Sequence, residues 1–269
     1  MNDLALYICI ALIFPLSAVA STSVSSDHVW AIVKISYDPA TKKAEGGTCG
    51  TAFFINDTVF LTAHHFIETK TSNLFTPNSG YSKVRIFLAN SRGDIIDDFR
   101  IVERVPDYDL AIGRIGKPNP AIRVCPLQLD IQLGNEVYNI GFPTDQGISD
   151  YSLKIEGQKL IVNRISPKPS IQQGIVKAIK QVSLSTNDVN LQDKTVAIMN
   201  YSSRTGFSGG PLVSKESGKV IGLMSFVIPR EFDSGTPVVA IRMADIEPLV
   251  ARYGHRDKPN GKDKNGKTR

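Results

Sequence analysis

The sequence predicts an all-β protein that ends in one helix. Three observations carry that reading: short apolar segments rich in β-branched residues recur between Gly, Asn, Asp and Pro punctuation, helical periodicity is scarce before residue 243, and the apolar pattern breaks around Pro118, Pro120 and Pro126. A chain of 269 residues with 42% hydrophobic content can bury a substantial core, as one domain or as two small ones sharing an interface.

Taken in order, the elements begin with an apolar leader. Leu4 to Leu16 is almost wholly apolar and Ser17-Ala18-Val19-Ala20 carries a small-x-small cleavage pattern, so residues 1–20 read as a secretory signal peptide, although no Lys or Arg precedes the apolar run. A membrane helix needs about 20 apolar residues, more than this stretch offers, so a retained anchor is the weaker alternative. The mature protein is therefore expected to be secreted or periplasmic, without stable membrane insertion. Candidate strands follow at Val29–Ile35, Thr51–Ile55, Val59–Thr62, Val84–Leu88 and Ile112–Ile115, with Asn56-Asp57 as a hairpin turn. Beyond the proline-interrupted stretch they resume at Val137–Ile140, Ile175–Ile179, Val196–Met199, Val220–Phe226 and Val238–Ile241. Two groups of strands follow from that division, over about 27–125 and about 134–242. Met243 to Tyr253 reads as a helix with Ile246, Leu249 and Val250 on one face, although Pro248 lies inside it. Residues 254–269 lack an apolar pattern and read as a disordered basic tail.

Charge and cysteines exclude several classes. The formal net charge is +5, but six Lys or Arg against two Asp fall between Arg256 and Arg269, leaving the folded body nearly neutral. A nucleic-acid-binding face is not expected. The three cysteines are Cys9, Cys49 and Cys125, and removal of the leader leaves two, which could pair or remain separate buried thiols. Cys-x-x-Cys and paired histidines at ligand spacing are missing, so neither a metal nor an organic cofactor is expected.

The chemistry concentrates in three segments. Gly206-Phe207-Ser208-Gly209-Gly210-Pro211-Leu212 sets a serine in a glycine-rich turn, where backbone amides can converge on one point. A serine hydroxyl is a weak nucleophile alone and needs a base and a group to orient that base. Leu61-Thr62-Ala63-His64-His65-Phe66 offers two histidines, and Asp107 and Asp109 precede the apolar run Leu110-Ala111-Ile112. Gly206-x-Ser208-x-Gly210 also fits the nucleophile elbow of an α/β-hydrolase esterase, but that fold needs its acid and base after the serine, and His255 is the only later histidine.

In the chain order histidine, aspartate, serine, these segments resemble the trypsin-like (chymotrypsin-fold) serine proteases. That resemblance implies two six-stranded antiparallel β-barrels and a C-terminal helix, with residues 27–253 as the protease domain. It selects His65, three positions after Thr62, as general base. Asp109, directly before the Leu-Ala-Ile run, is selected as orienting acid, with Ser208 as nucleophile and the amides of Gly206 and Ser208 as the oxyanion hole. The implied partners are protein or peptide substrates.

Within that family the bacterial HtrA/Deg type is the most similar branch, through Ile140-Gly141-Phe142-Pro143, Gln173-Gly174-Ile175-Val176 and Ala240-Ile241-Arg242. HtrA relatives often form trimers, which admits a homo-oligomer. Two departures stand out: Phe207 occupies the position where digestive trypsins hold the aspartate that pairs with a freed N-terminus, and the sequence after the protease domain is too short for a PDZ domain. Ser202, six residues before Ser208, replaces the aspartate that binds basic side chains. Ser225-Phe226-Val227 resembles the strand that pairs with substrate backbone, and Val227 with Val238 would narrow the pocket. A shallow site for small apolar side chains is expected, with Arg204 and Arg242 as the basis of a minor acidic preference. The alternative from another class is a non-catalytic, protease-like binding protein.

Overall fold

The computed structural model describes residues 23–67, 74–146, 148–185, 190–227 and 238–254. The expected signal peptide at 1–20 and the basic tail after Gly254 lie outside the described residues, as do the side chains of Phe226 and Val227.

Seven strands form the first sheet: β1 (Val29–Asp38), β2 (Lys43–Phe54), β3 (Val59–Ala63), β4 (Lys83–Ala89), β5 (Ile95–Ile96), β6 (Phe99–Val105) and β7 (Leu110–Ile115). They are antiparallel in the order β5-β4-β1-β2-β3-β7-β6, an open half-barrel. Strand alternation explains why β1 is buried on both faces. Trp30 and Ile32 enter one apolar core with Phe54, Phe60 and Leu88, whereas Val29, Ala31 and Val33 enter another with Phe53, Leu61 and Ile112. The second of these cores is shared with Ile140, Phe142, Val213, Leu223 and Val239, so it glues the first sheet to the remaining strands.

Those remaining strands are β8 (Glu136–Gly141), β9 (Ile148–Glu156), β10 (Lys159–Pro167), β11 (Ser170–Ser185), β12 (Asn190–Met199), β13 (Pro211–Ser214), β14 (Val220–Val227) and β15 (Val238–Arg242). Six of them close into a barrel in the order β11-β12-β15-β14-β13-β8, and β9 pairs only with β10. Val137, Val176, Ala197, Leu212, Met224 and Val238 fill that barrel. The helix α1 (Met243–Gly254) packs Ile246 and Val250, both buried, on the shared core, with Leu249 half-buried beside them.

Several elements differ in extent from the sequence reading. β2 starts at Lys43 and β11 runs from Ser170 to Ser185, because their outer parts are exposed ribbon whose polar residues hide the alternation. β5, β6, β13 and the β9–β10 hairpin go beyond the expected strands, so the first sheet has seven strands where six were implied. The expected hairpin at Asn56 forms: its side-chain Oδ1 accepts from the amides of Thr58 (2.9 Å) and Val59 (2.7 Å), a local bond that asparagine makes readily. Cys49 and Cys125 are free thiols, half-buried and buried respectively, and burial pushes the Cys125 thiol far up.

Candidate active site

His65 lies in a short 3-10 turn (His64–Phe66) that ends β3, and Asp109 follows another (Pro106–Tyr108) that ends β6. Because β3 pairs with β7, Ala63 stands opposite Leu110, and the residues flanking those two positions meet. Two backbone contacts fix the meeting: His64 N–H donates to the Asp109 carbonyl (2.9 Å) and His65 N–H donates to Asp109 Oδ1 (2.9 Å). Asp109 itself is left-handed, at φ 45°, an unusual region for a non-glycine residue that aspartate tolerates better than most.

The imidazole completes the arrangement. His65 Nδ1 lies 2.9 Å from Asp109 Oδ2 and 3.1 Å from Oδ1, and Ser225 Oγ donates to the same Oδ2 at 2.5 Å. A carboxylate only accepts, so Nδ1 carries a proton, and in the neutral imidazole Nε2 then keeps its lone pair, the tautomer a general base needs. Asp109 is 1% exposed; its three donors offset the loss of water around a buried charge. Phe66 covers the imidazole at 4.3 Å between ring centres.

Ser208 sits in a turn held from the first sheet. Thr51 N–H donates to the Ser208 carbonyl (3.0 Å), and Thr51 Oγ1 donates to the Gly206 carbonyl (2.7 Å) while accepting from Phe142 N–H (3.1 Å). Within the turn, Phe207 N–H donates to Arg204 O, Gly209 N–H to Met224 O and Gly210 N–H to Phe207 O. The amides of Gly206 and Ser208 have no hydrogen-bond partner among the described residues, and these are the two expected to face an oxyanion. Glycine at 206 is a steric necessity, since its φ is +102° and a Cβ would stand 2.2 Å from the Phe142 carbonyl oxygen. Ser208 Oγ likewise has no partner among the described residues, and catalytic hydrogen bonds of free enzymes often tighten only with substrate.

The remaining sequence-predicted residues are placed less uniformly. Ser202 is exposed, and its carbonyl accepts from Gln172 Nε2 (3.0 Å). Ser225 belongs behind the carboxylate, buried at 1% exposure, a hydroxyl role that its strand position does not announce. Val238 is equally buried and contributes to the interior of the second barrel, where it stands opposite Val227. Phe226 and Val227 lie outside the described side chains. Arg242 is occupied by a bidentate pair with Asp245 (2.7 and 2.6 Å), so the acidic preference expected of it loses its basis, and Arg204 lies 3.7 Å from Asp145. Phe207 is buried against Gly141, an apolar anchor for the turn. Thr51 and Phe66 escape sequence reasoning, because nothing in their local sequence marks a contact such as that of Thr51 with a turn 155 residues away. Among the described residues no group of three or more His, Cys, Asp or Glu could hold a metal ion.

Comparison with known proteins agrees with this fold. A family model described as trypsin-like peptidase domain matches residues 50–223. Among solved structures, the chain is similar to the active form of the Rv3671c protease from M. tuberculosis, with a TM-score of 0.52 and 17% identity over 84% of this chain and 82% of that one. It is also similar to the HtrA-type protease AlgW with a decapeptide, with a TM-score of 0.58 and 17% identity over 86% of this chain and 66% of AlgW. At these identities the likeness is one of fold. Compared by sequence with curated proteins, the chain matches none.

Proposed function

The chain belongs to the trypsin-like peptidase domain family, and we propose that it is a serine endopeptidase that cleaves proteins or peptides through an acyl-enzyme. The observation that carries this reading is the His65–Asp109 pair with two unbonded turn amides, at Gly206 and Ser208, beside the serine. In the proposed cycle His65 Nε2 takes the Ser208 proton as Oγ attacks the scissile carbonyl. Asp109 stabilises the imidazolium, and the two amides donate to the oxyanion. His65 then protonates the leaving amine, and water releases the acyl group by the same steps in reverse.

The acyl-side preference we propose is for small apolar residues. What supports it is that Ser202 offers no charge for a basic side chain. The apolar leader supports action outside the cytoplasm, as a secreted or periplasmic enzyme.

A fluorophosphonate probe tests the reading. Labelling of the wild type that disappears in Ser208→Ala, together with a fall in turnover of about 10⁶-fold, is expected. Absence of labelling in folded wild-type protein would sink the proposal and leave a protease-like binding protein.

A further inference from the structure

The turn Pro106–Tyr108 hands the chain to Asp109, whose left-handed backbone must be held by its surroundings. Asp109 N–H donates to the Pro106 carbonyl at 2.9 Å, which closes the turn. Pro106 and Asp107 are exposed, so Tyr108 is the side chain of the turn that packs on the shared core. Over its ring, 4.2 Å from the centre, stands the Lys194 ammonium of β12. A strand of the second barrel thus touches the first half of the fold one residue from the candidate acid.

Lys194 reaches that ring because β12 carries an extra residue. Leu184 of β11 stands opposite Leu191 and Val182 opposite Lys194, so β11 advances two residues where β12 advances three. Residues two apart on a strand share a face, so Leu191 and Lys194 share one as well, although a spacing of three would normally separate them. Leu191 is fully buried in the shared core, and Lys194 is thereby turned to the same side, where Tyr108 lies. An extra strand residue of this kind is a β-bulge, a device that re-aims a side chain. Its centre is Asp193, left-handed at φ 52°. Ser183 Oγ holds it in both directions, donating to Asp193 Oδ1 (2.7 Å) and accepting from Asp193 N–H (3.0 Å), and Gln181 Nε2 donates to the Asp193 carbonyl (3.2 Å). A non-glycine residue in so sparsely populated a conformation persists only where its neighbours fix it, and these bonds do so.

We infer that the Asp193 bulge aims Lys194 onto Tyr108 to hold the turn that presents Asp109, so that Lys194, Tyr108 and Ser183 are positioning residues for the His65–Asp109 pair. The inference rests on the endopeptidase reading above. A turn that drifts carries the carboxylate away from His65 Nδ1, which slows proton transfer and leaves substrate binding as it was. The test is steady-state kinetics on a peptide substrate, with kcat taken per fluorophosphonate-labelled site so that loss of folded enzyme does not alter it. Lys194→Met keeps the aliphatic stem and removes the cation; kcat should fall about 3- to 10-fold at unchanged KM, within the range of one cation–π contact. Lys194→Arg restores a cation for the ring and should recover turnover. Tyr108→Leu should lower kcat, and adding Lys194→Met to it should lower kcat no further. Ser183→Ala, which alters neither partner, should lower kcat in the wild type but not in Lys194→Met. An unchanged kcat in Lys194→Met, a loss confined to KM, a loss that Lys194→Arg does not recover, or losses that multiply in the double variants overturn this inference alone. Absence of labelling in folded wild-type protein overturns the endopeptidase reading and this inference with it.

Discussion

Ser225 reaches from β14 of the second barrel to Asp109 of the first sheet, donating to Oδ2 at 2.5 Å on the same carboxylate that holds His65. The Asp109 carboxylate is thereby held from both halves of the fold, and a shift of one half against the other would be felt at the imidazole.

Ser225→Ala removes one donor from a buried carboxylate while leaving the His65 contacts in place. A hydrogen bond to a charged group is worth about 1.5–3 kcal/mol, so kcat/KM is expected to fall about 10-fold or more. The fall should lie mainly in kcat, because the bond orients the base rather than the substrate. Steady-state kinetics on a peptide substrate would check this, and an effect confined to KM would show that Ser225 matters through substrate contact instead.

Residues whose chemistry is announced by their neighbours are legible in the sequence alone. Leu61-Thr62-Ala63 leads into both His64 and His65, Asp109 precedes an apolar strand and Ser208 lies among glycines, and the family resemblance is what selects His65 over its neighbour. The contacts that aim these groups are not legible there, because each joins segments far apart: Ser225 to Asp109 across 116 residues and Thr51 to Gly206 across 155. The strands divide for a related physical reason. β1 and β3 are buried on both faces and read as continuous apolar runs, whereas the β9–β10 hairpin carries Lys154, Glu156, Lys159 and Arg164 and shows no such run.

Acid sensitivity of the fold should trace in part to His28. Burial, opposed by Asp27, holds its imidazole below the usual 6.5, and its Nδ1 accepts from Ser25 N–H (3.1 Å) in the turn that starts β1. Between the folded and unfolded pKa values the unfolded chain binds more protons, so stability rises with pH there. The stabilisation is complete above about pH 6.5 and is lost as the pH falls through the lower folded value. Urea unfolding at a series of pH values should show this slope in the wild type. His28→Gln, which keeps an acceptor for Ser25, should weaken it, and an identical slope in the variant would reject the assignment.

Thr51 is expected to be the most consequential residue that touches no substrate. Its hydroxyl donates to Gly206 O and accepts from Phe142 N–H, its amide donates to Ser208 O, and its carbonyl accepts from Thr62 Oγ1 at 2.8 Å. Thr51→Val keeps the shape but leaves the Gly206 carbonyl and Phe142 amide unpaired in a fully buried place, at a cost of about 1–3 kcal/mol each. Releasing Gly206 O also frees the peptide plane whose neighbouring amide would meet the oxyanion. Loss of one such donor typically lowers kcat by about 10²–10³, and a drop approaching that range is expected. Thr51→Ser restores the hydroxyl and should rescue turnover even if its missing methyl lowers stability. Fluorophosphonate labelling rates set against denaturant midpoints separate the two effects: rates that simply follow stability across Val and Ser would reduce Thr51 to a packing residue.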